Sequence, residues 1–369
     1  MLALSAAVTA VGGWWVPAFA GQPPSPPTTA SGPPPAKAEL LADLDTGRVL
    51  LAQNEHALLP PASLTKVLTA LVSADWLTPG TAIPVSDRAA NVSPDKLGMK
   101  TGQQWPYDIA MHALLISSSN DAAYALAEKI SGSVEAFAAT MKQAASQIGM
   151  TDVPVLRDPA GLDGNEGVGG GNQMSAWDVA VASRDLMANP YLAGIVTTKT
   201  YRFTGPDGIV YQLASHNLAF LNSYAGAAGV KTGYTVPAGV CVAAAAIRGD
   251  RHMLAVVMNG VSPDRTAEML LDQGFATAPE SEPSTAPELP PVTEPEPAAV
   301  SPEPADPPAP ITRVSGASTG AAIQLHSSRL AVVPTVEAAA GVAAVAATAV
   351  WLLLRGRRRV AEGPRHRRR

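Results

Sequence analysis

Proline limits how much of this chain can fold. Of 369 residues 34 are Pro, and they gather toward the two ends. Residues Gln22 to Pro35 are rich in Pro, Ser and Thr; Pro279 to Pro310 holds twelve Pro and seven Asp or Glu, with no Lys or Arg. Neither composition buries enough apolar surface to offset its ordering entropy, so both predict extended, partly polyproline II chain. At ~3.1 Å per residue the second would reach on the order of 100 Å. A core must come from what lies between, Lys37 to Ala276, which is long enough for one domain.

The outer flanks carry export and anchoring signals. Leu2 to Val16 is apolar and leads to Ala18-Phe19-Ala20-Gly21, where the small Ala18 and Ala20 at −3 and −1 predict a signal peptide cleaved after Ala20, although no basic segment precedes it. Ala338 to Leu354 is seventeen uncharged, mostly apolar residues, roughly 26 Å as a helix. Val336 and the stem of Arg355 extend it toward the ~30 Å of a hydrocarbon core. Net charge is −5, but the last fifteen residues hold eight Arg and one Glu, +7, which leaves −12 before them. A basic tail directly behind an apolar run points to a membrane with the tail inside, and not to nucleic acid. The expected order is a signal peptide over 1–20, an extended segment over 21–36, a folded domain over 37–276, a stalk over 277–335, a membrane helix over 336–354 and a cytoplasmic tail over 355–369.

Cys241 is the single cysteine, which excludes an internal disulfide framework and a Cys-based zinc site. The six His never pair at metal-ligand spacing, so no metal and no cofactor is expected. Within the folded part, Ala38 to Asp43, the turn Asp45-Thr46-Gly47 and Arg48 to Gln53 read as a β-hairpin. A helix is expected from Ser63, with Leu64, Val67, Leu68, Leu71 and Ala74 on one face. Further helices are expected at Tyr107 to Ile116, Asn120 to Ile130, Val134 to Ile148, Ser175 to Met187 and Asp264 to Gly274. Strands are expected near Val230, through Val240 to Arg248, and at His252 to Met258. Strands at both ends with helices between predict an α+β fold: one antiparallel sheet beside a helical region.

The chemistry begins at Ser63-Leu64-Thr65-Lys66. A Ser at a helix N-terminus has free backbone N–H groups and the positive end of the dipole beside it. Lys66, three residues on, lies one turn away on the same face, where its amine can take the Ser63 proton if it is neutral. The spacing alone proves little. Ser93-Pro94-Asp95-Lys96 repeats it without a following apolar stripe and reads as a solvated turn. Lys-Thr-Gly occurs at Lys100 and at Lys231; Ser-x-Asn occurs at Ser118 and at Ser215.

Order selects among them. Ser63/Lys66, then Ser118/Asn120, then Lys231-Thr232-Gly233 resemble the three motifs of the penicillin-recognising serine enzymes. With the flanks Pro61-Ala62, Ser119-Asn120-Asp121-Ala122-Ala123 and Gly229-Val230 to Tyr234-Thr235, Ala38 to Phe275 is similar to the serine-type D-Ala-D-Ala carboxypeptidases, the low-molecular-mass penicillin-binding proteins. The resemblance implies the penicillin-binding protein/β-lactamase-like fold: an antiparallel sheet, flanking helices and a helical subdomain. It implies a wall hydrolase that trims stem peptides ending in D-Ala-D-Ala, limits cross-linking, and is covalently inhibited by β-lactams. In that reading Ser63 is the nucleophile, Lys66 its base and Ser118 a proton relay. Asn120 holds Lys66 and the substrate amide, and Thr232 the terminal carboxylate. Lys231 adds a positive charge that depresses the Lys66 amine, and Gly233 lets the strand approach the substrate. The backbone N–H groups of Ser63 and Tyr234 form the oxyanion hole, and Arg265 matches an arginine near the carboxylate.

Tyr234 stands where some relatives carry His, and Gly164 to Gly171 looks like an insertion that edges the cleft or is floppy. Cys241 and the indoles of Trp76, Trp105 and Trp177 read as packing residues. The same constellation serves endopeptidases and transpeptidases acting on cross-links. A β-lactamase would need a carboxylate-activated water, and Glu166 lacks the Glu-x-x-Leu-Asn context for it. A catalytically silent wall-binding protein would not need all of Ser63, Lys66, Ser118, Lys231 and Thr232.

Overall fold

The computed structural model describes residues 34–293, apart from 165 and 282–284. The signal peptide, the distal stalk, the membrane helix and the basic tail expected from sequence lie outside the described residues. Strands β1 (Ala38–Asp43) and β2 (Val49–Gln53) form the expected hairpin. The helix expected from Ser63 begins as a 3₁₀ turn, Ala62–Leu64, and becomes α-helical only as α1 (Thr65–Trp76). Then come β3 (Ala82–Pro84), α2 (Asp87–Asn91), β4 (Gln104–Pro106), α3 (Tyr107–Leu115), α4 (Asn120–Ser131) and α5 (Val134–Gln147). After a long loop follow α6 (Ala176–Ala188), α7 (Pro190–Val196), the hairpin β5 (Thr200–Thr204) and β6 (Val210–Ala214), and α8 (Leu218–Ser223). The chain returns to the sheet as β7 (Ala227–Thr235), β8 (Gly239–Arg248) and β9 (Arg251–Gly260), and α9 (Pro263–Ala276) follows.

The main sheet has the order β2-β1-β9-β8-β7, every pair antiparallel, so the two ends of the folded region meet where β1 pairs with β9. Side chains alternate between its faces. Leu40, Ala42, Ala243, Ala245, Leu254 and Val256 join the large core shared with the helices. Leu41, Val242, Ala244, Met253, Ala255 and Val257 pack instead with Ala267, Leu270 and Leu271 of α9. Both faces are dry, which is why β8 and β9 read as continuous apolar runs. β7 is an edge strand, and its outer edge packs against the 3₁₀ turn that carries Ser63.

Three expectations are corrected here. Trp105 and Trp177 are buried, but Trp76, the last residue of α1, is 62% exposed and packs in no core. The hairpin β5–β6 has no counterpart among the expected elements; its Phe203 and Tyr211 stack, Tyr201 packs tilted against Phe203, and Phe203 and Tyr211 meet Trp105 edge-on. The third concerns the stalk. Part of the segment expected to be free chain after residue 276 is docked on the domain, where Glu288 makes one antiparallel bridge with Arg48, just before β2. The Val49 amide donates to Pro287 O at 2.8 Å, the Leu289 amide to Gly47 O at 2.8 Å, and Leu289 is only 3% exposed. Arg184 of α6 donates to Leu44 O, Asp45 O, Leu289 O and Pro290 O. Backbone pairing on an open sheet edge and one buried Leu hold what composition reads as unstructured.

Candidate active site

Ser63 sits half-buried in the 3₁₀ turn, after Ala62, whose φ is +49°. Two glycines let the chain pass this turn. A Cβ on Gly233 of β7 would stand 2.9 Å from Ser63 N, and one on Gly161 would overlap Ala62 O. Gly233 therefore lets the strand pass against the Ser63 backbone, a close contact within the chain that itself demands glycine, in addition to the approach to substrate expected from sequence.

Lys66 is fully buried, its Nζ 2.8 Å from Ser63 Oγ. Nζ also donates to Asn120 Oδ1 at 2.8 Å and to Ala160 O at 2.7 Å. A neutral amine has two hydrogens, and those two carbonyl oxygens take both, so its lone pair is left facing the Ser63 hydroxyl. Burial lowers the Lys66 amine from 10.5 to about 7, against the pull of the Asp158, Asp95 and Asp121 charges. Burial is therefore the first cause, ahead of the repulsion from Lys231 expected from sequence. Lys231 is also fully buried, and burial, then repulsion between the two ammonium groups, hold it well below its ordinary value. Lys231 Nζ donates to Thr232 O at 2.8 Å.

Ser118 is buried in the loop between α3 and α4, at φ +60°, a conformation costly for a residue with a Cβ. Asn120 begins α4, and its Nδ2 donates to Pro94 O at 2.7 Å while its backbone N–H donates to Asp95 O. The Lys66 half of its expected role is therefore visible, and one amide hydrogen is tied to the chain. Ser93 and Lys96 are exposed, as are Lys100, Thr101 and Gly102, so neither decoy has a buried setting. Yet Pro94 and Asp95, inside the first decoy, supply the carbonyls that fix Asn120. Thr232 is half-buried, and the Tyr234 side chain is 65% exposed. Arg265 lies in the first turn of α9 with its side chain exposed. Among the described residues no hydrogen bond or ion pair ties it to Lys231, Thr232 or any other residue of the site.

The loop 158–172 carries site residues that the motifs do not mark. Asp158 Oδ1 accepts from the N–H groups of Ala160, Gly161 and Leu162, and Oδ2 from Val168 N–H and the Tyr124 hydroxyl. Asn172 donates to Thr65 Oγ1, Pro159 O accepts from Thr69, and the Asp163 carboxylate accepts from Thr235. The glycine-rich stretch is thus bonded to α1, α4 and β7 through its flanks. Asp158-Pro159 followed by Gly161 is the turn signal in the sequence that could have located it. Glu166 is exposed. His216, which on sequence is only the middle of a second Ser-x-Asn, also lies near the two lysines. Its amide donates to Ile116 O, and burial, then the charges of Lys231 and Lys66, lower its imidazole.

Residues 26–262 match the family model described as D-alanyl-D-alanine carboxypeptidase, peptidase S11. The chain belongs to this family. Over 253 residues it is 34% identical to the D-alanyl-D-alanine carboxypeptidase DacB2 of Mycobacterium tuberculosis, covering 67% of this chain and 84% of that one. It is 30% identical to DacF of Bacillus subtilis, of whose length the match spans 62%. Among solved structures, a D-alanyl-D-alanine carboxypeptidase of Mycobacterium tuberculosis superposes with a TM-score of 0.62 at 32% identity, over 71% of this chain and 96% of that one. The carboxypeptidase fold, an antiparallel sheet flanked by helices, is common to them, and the Ser63–Lys66 pair of this family member lies inside the matched region.

Proposed function

We propose that this serine carboxypeptidase removes the terminal D-Ala from peptidoglycan stem peptides through an acyl-enzyme on Ser63. The observation that carries the reading is the Lys66 amine. It is buried, lowered to about 7, and aimed at Ser63 Oγ because its two hydrogens are spent on Asn120 and Ala160.

Lys66 takes the Ser63 proton as Oγ attacks the carbonyl between the two D-Ala residues. The developing oxyanion meets the backbone N–H groups of Ser63 and Tyr234, brought together by the close passage of β7 at Gly233. Ser118, in its strained loop, passes the proton to the leaving D-Ala amine. Lys231, Thr232 and Arg265 serve the terminal carboxylate, and water then releases the shortened peptide. A β-lactam mimics the D-Ala-D-Ala amide and leaves the same ester on Ser63. No cofactor is invoked.

The sequence outside the described residues supports an exported, membrane-anchored enzyme, with the cleft outside and the Arg-rich tail inside. Chain truncated after Pro310 then leaves the membrane fraction in active form.

Incubating the protein with a pentapeptide stem and weighing the products tests the activity. The expected product is the tetrapeptide and free D-Ala, lost together with fluorescent-penicillin labelling in Ser63→Ala and retained in Ser93→Ala. Normal labelling of Ser63→Ala refutes the assignment.

A further inference from the structure

Asp158 is fully buried, yet the reaction as described does not use it. A carboxylate in that setting is costly unless its lone pairs are satisfied and its charge answers another. Its oxygens are occupied: four backbone N–H groups and the Tyr124 hydroxyl donate to them at 2.6–3.2 Å. Among the described residues none of its hydrogen bonds comes from a cation. The positive group it answers stands one step away. Two residues along, the Ala160 carbonyl accepts from Lys66 Nζ at 2.7 Å, and Asn172 joins Asp158 O to Thr65, the residue before Lys66.

We propose that Asp158 is a positioning residue for the base: its carboxylate shapes the turn that presents the Ala160 carbonyl to Lys66, and its buried charge stabilises the Lys66 ammonium, setting the pH at which the base becomes available. A fully desolvated amine with no nearby anion would titrate so low that it is neutral but weakly basic, and proton abstraction suffers. The other charged or titratable groups facing Lys66 are Asp95 on the exposed loop between α2 and β4, Asp121 within α4, Lys231 on β7 and His216 in the turn before α8. Asp121 is as dry as Asp158 and likewise held by backbone amides, those of Leu97, Gly98, Met99 and Ala122, but no turn it holds presents an acceptor to Lys66; Asp95 is open to solvent and screened. Of the three carboxylates acting on Lys66, Asp158 has the strongest influence after burial itself, in agreement with its dry position.

The inference rests on the Ser63–Lys66 reading. Its test is the penicillin acylation rate of the full chain against pH. Asp158→Asn keeps an oxygen for the amides of Ala160, Gly161 and Leu162 but removes the charge. Asp158→Ser removes the charge in a second shape, its hydroxyl still able to hold the turn. With the anion gone the ammonium is less stable. The acid limb of acylation therefore moves to lower pH, by about one unit, and the plateau rate falls severalfold because the base is weaker. Asn172→Ala, which loosens the same loop without touching a charge, lowers the plateau and leaves the limb in place. An unmoved or upward-moving limb in the neutral variants overturns the proposal, and Asp158→Ser decides it if Asp158→Asn does not fold. Labelling that persists in Ser63→Ala would instead refute the underlying reading, a separate outcome in the same assay.

Discussion

Gly233 faces Ser63 so closely that a Cβ at position 233 would stand 2.9 Å from the Ser63 backbone nitrogen. That nitrogen belongs to a turn and the glycine to an edge strand, 170 residues apart in the chain. In the proposed reaction the pair borders the oxyanion. Gly233→Ala must push β7 away from the turn by a few tenths of an ångström or more. Misplacement on that scale at a reacting centre costs on the order of tenfold to a hundredfold in rate. The penicillin acylation rate should fall by that much while the melting temperature changes by only a few degrees. An acylation rate equal to the parent's would mean that the strand does not border the oxyanion.

Lys231→Ala and Lys100→Ala separate the two Lys-Thr-Gly copies. Lys231 is buried beside Lys66, whereas Lys100 is exposed in a turn. Lys231→Ala should slow acylation about a hundredfold or more, and Lys100→Ala should leave it unchanged. Because burial is the first cause of the low Lys66 value, the acid limb should stay near pH 7 in Lys231→Ala. An upward shift of the limb toward the ordinary lysine range would show that Lys231, and not burial, holds Lys66 down.

Lys66 also leaves a signature in stability. Its amine is lowered from 10.5 in the unfolded chain to about 7 in the fold. Between those values the unfolded state binds the extra proton, so this group's contribution to stability improves as pH rises from about 7 to 10.5. Below about 7 both states are protonated and the full burial penalty is present. Lys66→Met abolishes acylation and removes that penalty. Its melting temperature relative to the parent should therefore be more favourable at pH 6 than at pH 9. A difference independent of pH would mean that Lys66 is not buried as a titrating amine.

The docked tail predicts a domain boundary. Soluble fragments ending at Ser281 and at Thr293 differ by the segment that buries Leu289 and satisfies Arg184. Losing one buried Leu costs about 1.5–3 kcal/mol, and stranding part of a buried guanidinium adds about 1–3 kcal/mol. For a domain of this size that lowers the melting temperature by roughly 5–25 °C, read by calorimetry. Equal melting temperatures would mean the segment contributes nothing to the fold.

Much of the site is legible in the sequence because its first elements are local. Ser63 and Lys66 are one helical turn apart, so their meeting needs only that the segment be helical, and the apolar stripe of α1 announces that. The hairpin β1–β2 and the apolar runs of β8 and β9 are legible for the same reason, since side-chain periodicity is a property of a few consecutive residues. The boundary at Ser63 is not, because the 3₁₀ turn there answers Gly161 and Gly233, which arrive from elsewhere.

What the tertiary structure alone decided is whatever depends on contacts between distant segments. No local pattern marks the Ala160 carbonyl as a partner of Lys66 or Asn172 as a partner of Thr65, 107 positions away. Nor does any mark Pro94, inside the solvated turn that mimics the Ser63 motif, as the acceptor for Asn120. Composition correctly excludes a core inside a proline-rich segment, but it cannot register that an open sheet edge and Arg184 supply partners for Leu289 and Pro290. The order of three short motifs identifies the chemistry. The low titration of Lys66 required burial, and burial is a property of the whole packed domain.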